Sequence, residues 1–359
     1  FEQVYHGCSA GLYDEVFNTV YWEKINGREE CFITHKLSAW ETNLSLIRAF
    51  YPKGDLSQLP LVSKKSDQSW LLNAAGLTIL SMGRLKEAEE PSLTAIKIAI
   101  EVKDWENASR GYQNLTTIQS RAGEIDTGLL SAQKALEVAE KAKSYEHIIN
   151  SKAYLSWVFH LLGNTEEAEK GFKQADELSK KIWGHRLNSL RGVWYADFLI
   201  SIKRTDEALE ITQRNLEICE RNNWPADILG CHRAISAIER TRGNHKEAYD
   251  HLHNAFEFAK KVGMPFLEIE VLLESGRLHL DTENYQDAIY DANQVLKLCD
   301  RTGFLLYEPD AELILAKAYL AQNDPEQAKS YANSAYKKAT SMHYHLPKVE
   351  SAQILEKWR

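Results

Sequence analysis

The chain has 359 residues, a net charge of −8 and a composition that is 44% hydrophobic and 10% aromatic, ample for a continuous core. Its acidity argues against a nucleic-acid backbone as the main partner, since that partner demands clustered positive charge. No run reaches the roughly 18 apolar residues of a membrane span, and the opening Phe1-Glu-Gln-Val-Tyr has neither the basic nor the apolar stretch of a signal peptide.

Residues 1–65 predict an irregular helical region. Gly11-Leu-Tyr-Asp-Glu-Val16 marks a turn inside a degenerate hairpin over residues 1–25, and Gly27 follows as a break. Residues 33–50 read as one amphipathic helix with Leu37, Trp40, Leu44, Ile47 and Phe50 on a face. Between Tyr51 and Lys65, Pro52, Gly54 and Pro60 predict a loop.

From residue 66 to residue 345 one pattern returns in strict phase. Gly83-Arg-Leu-Lys-Glu-Ala88 is followed by copies opening at Gly123, Gly163, Lys203, Gly243, Glu283 and Asn323, each 40 residues after the last. A fixed period between 20 and 50 residues is the mark of a solenoid, whose units touch chiefly their neighbours. Seven residues before each turn stands a small or short side chain, from Gly76 and Thr116 through Ser156, Ala196, Ser236 and Gly276 to Ala316. Two further columns follow the turn, one through Ala95, Ala135, Ala175 and Ala255, the other through Ala99, Ala139, Cys219 and Cys299. Small residues in phase let helices cross closely. Stripes such as Leu155, Val158, Phe159 and Leu162 have helical spacing, so each unit predicts a helical hairpin. Residues 346–359 predict one last helix, with Leu346, Val349, Ile354 and Trp358 available to cap the array.

The small residue before the turn, Gly at the turn and Ala five residues on, as in Ser156…Gly163…Ala168 and Ser236…Gly243…Ala248, resemble the tetratricopeptide repeat. The resemblance implies an all-α fold, a right-handed superhelical solenoid of antiparallel helical hairpins. The unit is longer than the common form of about 34 residues, and it lacks the proline that usually closes the second helix. Prolines instead precede first helices, as in Trp224-Pro225 and Met264-Pro265, where they suit a helix start. The opening, with Tyr5-His6-Gly7-Cys8-Ser9-Ala10-Gly11-Leu12-Tyr13, Val20-Tyr21-Trp22 and Lys36-Leu37-Ser38-Ala39, resembles the start of repeat regions attached to bacterial signal-transduction NTPases of the NACHT/STAND type. In that family the repeats lie C-terminal to the nucleotide-binding module and act as the sensor. No GxxxxGK[ST] occurs, so the chain is not itself the NTPase. A start in mid-helix without Met adds the expectation of a longer parent, whose NTPase module would be one partner of these repeats.

Catalysis finds little support, and neither cofactor nor metal is expected. No GxSxG, HExxH or Gly-rich phosphate loop is present. His343 and His345, like His251 and His253, are two residues apart and point to different sides of a helix. Glu166-Glu167 and the acids of 87–90 sit at helix starts, where the dipole accounts for them. The five cysteines form no CxxC pair, and two lie in the small column, which marks core thiols and a reduced, cytoplasmic compartment.

Recognition is the better expectation. The resemblance implies that the first helix of each hairpin lines the concave surface and places Trp70, Asn73, Arg110, Gln113, Arg121, Asn150, Trp157, His160, Arg233, Arg240, Arg277 and Lys317 on it, with Asp197 and Glu270 among them. Arginine forks and tryptophan faces suit a protein or peptide, in particular an acidic or carboxylate-bearing segment. The same residues allow another reading, in which the arginines pair with acids of adjacent helices and Trp157 is core. The expected function is ligand sensing in the groove for an attached effector, with no nucleic acid and no membrane. A constitutive scaffold, or a receptor module for a small molecule or pheromone peptide, are the alternatives.

Overall fold

The computed structural model describes residues 1–358, and among them there are nineteen α-helices and no strand. The N-terminal region holds α1 (Glu2–Ser9), α2 (Tyr13–Val16), which runs on as a π-helical stretch over Phe17–Ile25, α3 (Phe32–His35) and α4 (Trp40–Arg48). The single helix expected over 33–50 is therefore two. Ser38 adopts φ 49°, and the chain leaves helical geometry between His35 and Trp40. That break turns Leu37 out to solvent, 53% exposed, while Trp40, Leu44, Ile47 and Phe50 stay buried. Phe17 and Tyr21 each pack edge to face on Phe50, with centroids 6.0 and 5.7 Å away. The Tyr21 hydroxyl donates to Asn43, which donates to Thr78 of α5 (Lys65–Ser81), so this region is fastened to the first repeat by polar bonds as well as aromatic burial.

Unit 1 pairs α5 with α6 (Leu85–Glu101). The next three are α7 (Trp105–Arg121) with α8 (Ile125–Ala142), α9 (Tyr145–Leu161) with α10 (Thr165–Trp183), and α11 (Ser189–Ser201) with α12 (Thr205–Asn222). Units 5 to 7 are α13 (Pro225–Thr241) with α14 (His245–Val262), α15 (Pro265–Asp281) with α16 (Tyr285–Thr302), and α17 (Glu308–Ala321) with α18 (Pro325–Ser341). The last helix, α19 (His345–Leu355), ends in a 3-10 turn.

Local sequence explains the hairpins. The turn residue is left-handed in all seven units, including the non-glycines Lys203 (φ 62°), Glu283 (φ 61°) and Asn323 (φ 58°). The N–H after it bonds back to a last-turn carbonyl, as from Arg204 to Leu199 at 2.8 Å and from Asn284 to His279 at 2.8 Å. This is the helix-ending motif that satisfies orphan carbonyls and favours glycine. The in-phase alanines Ala88, Ala168, Ala208, Ala248, Ala288 and Ala328 have no exposed surface. Most of the other small columns are buried as well, although Ala259 is only half-buried.

At the C-terminal end, Pro347, Ser351 and Ile354 are the buried residues of α19. Leu346 and Val349, expected to cap the array, are exposed instead, because the helix presents its other side to unit 7.

The coil also closes on itself. Thr302 and Pro265 sit against Gly83, each 2.9 Å from where a Cβ would stand, and Met342 sits 3.0 Å from that place on Gly123. His345 covers Gly163 so closely that a Cβ would lie 2.3 Å from its ring. His343 Nδ1 meets Asp126 Oδ2 at 2.7 Å, and the His35 and Trp224 rings are 5.8 Å apart. The segments leading into the later first helices thus rest on the turns of units 1 to 3, one superhelical turn away.

Candidate recognition chamber

Closure divides the inner wall in two. Over the early units the wall is covered. Arg121 is 2% exposed: Phe266 of α15 lies 3.6 Å below its guanidinium, its Nε donates to the Tyr307 hydroxyl at 3.1 Å, and Glu270 stands 3.6 Å off. Asn73 is buried with its amide donating to the Asn107 carbonyl, and Gln113 is buried donating to Ser109 and Ser151. Trp70 packs on Trp22 at 5.0 Å, Arg110 donates to Asn107, and Asn150 is half-buried. The expectation that Asn73, Gln113 and Arg121 face an open groove is corrected here, all three being buried, and the half-buried Trp70, Arg110 and Asn150 lie apart from the chamber. The N-terminal region covers Trp70, polar contacts within units 1 to 3 hold Asn73, Arg110 and Gln113, the returning coil covers Arg121, and Asn150 is absent from the space described next.

From unit 3 to α19 the wall encloses a partly open chamber of about 560 Å³. Of the residues expected in the groove, Trp157, His160, Arg233, Arg240, Arg277 and Lys317 line it. Trp157 stacks on Trp194 at 4.9 Å, with only 7% of its surface exposed, so it is wall and core at once. Burial pushes the His160 imidazole down to about 4, so it stays neutral.

The basic residues are not free cations. Arg233 grips Asp197 with two bonds of 2.5 and 2.7 Å, and Arg240 donates to Glu274 at 2.7 Å and to Asp281 at 2.9 Å. Arg277 meets Asp310 at 2.6 Å, and Lys317 meets Glu350 at 2.6 Å. Each pair joins one first helix to the next, so the lining is a ladder of ion pairs climbing the coil. Burial works against charge on Arg233, but Asp197, with Glu270 and Glu274 behind it, outweighs this and holds its pKa well up. At Asp310 burial wins over Arg277 and raises the carboxyl above the ordinary range. The lining carries six carboxylates and four cations. The expected positive groove is corrected accordingly: the arginines are matched, and the acids outnumber them.

Several lining residues were missed by sequence reasoning, among them Trp194, Glu274, Asp281, Tyr307, Asp310 and Glu350. A signal did exist for the last two. Glu270, Asp310 and Glu350 recur at the 40-residue step, and Arg277 and Lys317 each find an acid 33 residues on. Among the described residues no group of His, Cys, Asp and Glu is arranged to hold a metal ion, and no helix is long and apolar enough to cross a membrane.

No protein-family model and no curated protein matches the sequence. Solved structures do resemble the fold. The Cut9–Hcn1 hetero-tetramer of the APC/C superposes with a TM-score of 0.59 at 11% identity, over 97% of this chain and 59% of that one. A Rap protein complexed with Competence and Sporulation Factor gives 0.56 at 11% identity, over 90% and 94%. A tetratricopeptide repeat protein from Parabacteroides merdae ATCC 43184 aligns at 19% identity over 82% and 98%, with a TM-score of 0.45. The chain is an all-α solenoid of tetratricopeptide-like hairpins.

Proposed function

We propose that the chain is a recognition scaffold that receives a short peptide segment of a partner in the chamber between unit 3 and α19. The observation that supports it is the chamber itself: a partly open space, walled by successive first helices and of small-ligand size, since such sites span about 300–1,000 Å³. A folded domain is too large for it. Two of the structures that resemble the fold are complexes, one with Competence and Sporulation Factor and one a hetero-tetramer.

The reading extends to context through the resemblance of residues 5–39 to the start of NACHT-type sensor regions. In this proposal the scaffold is the ligand-sensing part of a larger bacterial signalling NTPase in the cytoplasm. Filling the chamber then changes the contacts between the repeats and the NTPase module. Determining the upstream coding sequence tests this: a GxxxxGK[ST] loop is expected there, and a parent of repeats alone favours the constitutive scaffold.

The chamber is tested by panning a displayed random heptapeptide library on the protein and on Ser201→Trp. Ser201 is exposed at the chamber wall, so an indole there fills space without entering the core. Selected peptides should lose binding to Ser201→Trp; a selection whose binders ignore the substitution defeats the proposal.

A further inference from the structure

The chamber's lining also specifies the charge of its occupant, an inference that rests on the reading just given. Every cation on the wall is already held by a carboxylate of a neighbouring helix, at 2.5–2.9 Å. An entering anion meets a lining in which carboxylates already outnumber cations six to four, so the donors left on the cations sit in a net negative field. An entering cation displaces nothing, because the acids keep unused acceptor positions. Two acids remain within reach: the side chains of Asp281 and Glu350 are 43% and 45% exposed. Trp157, Trp194 and Tyr344 line the same wall, and aromatic rings favour cations over anions. Leu280 and Pro347 supply apolar surface for the stem of a long basic side chain.

We infer that the chamber takes a peptide segment carrying positive charge, a lysine or arginine side chain or a free amino terminus, whose charge is met by the carboxylates of Asp281 and Glu350. This reverses the acidic partner expected from the sequence.

The test uses the heptapeptides selected as sensitive to Ser201→Trp. They should be enriched in Lys and Arg over the starting library, and Asp281→Asn/Glu350→Gln should weaken them about tenfold, two partly exposed charge contacts being lost. Glu2→Gln/Glu15→Gln removes the same charge from exposed positions of the N-terminal region, outside the lining, and should change binding less than about twofold. Circular dichroism and urea midpoints check that each variant is folded. Sensitive peptides of acidic or neutral composition overturn the charge inference and leave the chamber reading standing. An equal loss in the control variant also overturns it, because binding then follows the net charge of the protein. A selection without any Ser201→Trp-sensitive peptide defeats the chamber reading, and this inference with it.

Discussion

Arg121 offers the sharpest test of coil closure. It binds three residues of the returning coil, Phe266, Glu270 and Tyr307, and Arg121→Met keeps much of its volume while removing the charge. Fully buried pairs cost about 3–5 kcal/mol when one partner is removed, and the cation over Phe266 adds to the loss. Two facts reduce the figure: Glu270 is 19% exposed, and it keeps its 2.8 Å bond from Tyr307 and Arg233 at 4.0 Å. The expected cost is therefore at the lower end, about 3 kcal/mol. Solenoids open piecewise, so the local assay is amide exchange. Amides of the 303–310 segment should exchange about a hundredfold faster, the equivalent of that free energy. The double variant Arg121→Met/Glu270→Gln should recover part of the loss, because it removes the uncompensated acid. If exchange at 303–310 changes less than about threefold while the urea midpoint holds, then closure does not depend on this residue and the reasoning is wrong.

Gly163→Ala and Gly243→Ala both place an alanine at a left-handed φ, 78° and 82°, a cost of about 1–2 kcal/mol. Only Gly163→Ala also strikes His345, nothing lying near Gly243, so it should be the more destabilised of the two; equal urea midpoints would contradict the seat of α19 on unit 3. Lys203→Gly, Glu283→Gly and Asn323→Gly should each stabilise by up to about 1 kcal/mol through relief of the same strain, and a uniform loss would show that the turn geometry is misread. Ala168→Leu and Ala248→Leu should each cost about 1–3 kcal/mol by overpacking fully buried crossings, with neutral midpoints at both sites as the contrary result. His147 and His232 are buried, and burial pushes both down to about 4 from the ordinary 6.5. The unfolded chain takes up these protons first, so their contribution is complete above pH 6.5 and is lost as pH falls toward 4. His147→Gln should flatten the fall in urea midpoint across that window, and parallel curves would exclude its part in it.

What was legible in the sequence was what repeats. Gly83 and its six counterparts, and the alanine five residues on, impose turn geometry and close crossing locally, so their spacing carries the hairpin. The break before Trp40 was hidden because Leu37 fits the apolar period, and nothing in the period reveals a left-handed Ser38. Half of the expected groove was misplaced for a different reason. Whether Arg121 faces solvent depends on how far each unit rotates against the last, a quantity set by many small packing contacts and summed over several units before Tyr307 arrives beside it. The ion-pair ladder lies between these cases. Its acids were printed in phase with its cations, yet reading the column of basic residues alone suggested an attractive surface where the fold had built a compensated one.

The matching seats of Thr302 on Gly83 and Met342 on Gly123 give the molecule something like a screw thread. Both pairs have the same separation in sequence, so excising one whole 40-residue unit from the middle would advance the later part by a single pitch and let Met342 find Gly83. The thread would still engage, but Tyr307 would then meet Ser81, the counterpart of Arg121 one unit earlier. A lone arginine thus counts the units between itself and its partner, and makes one particular number of repeats the one that locks.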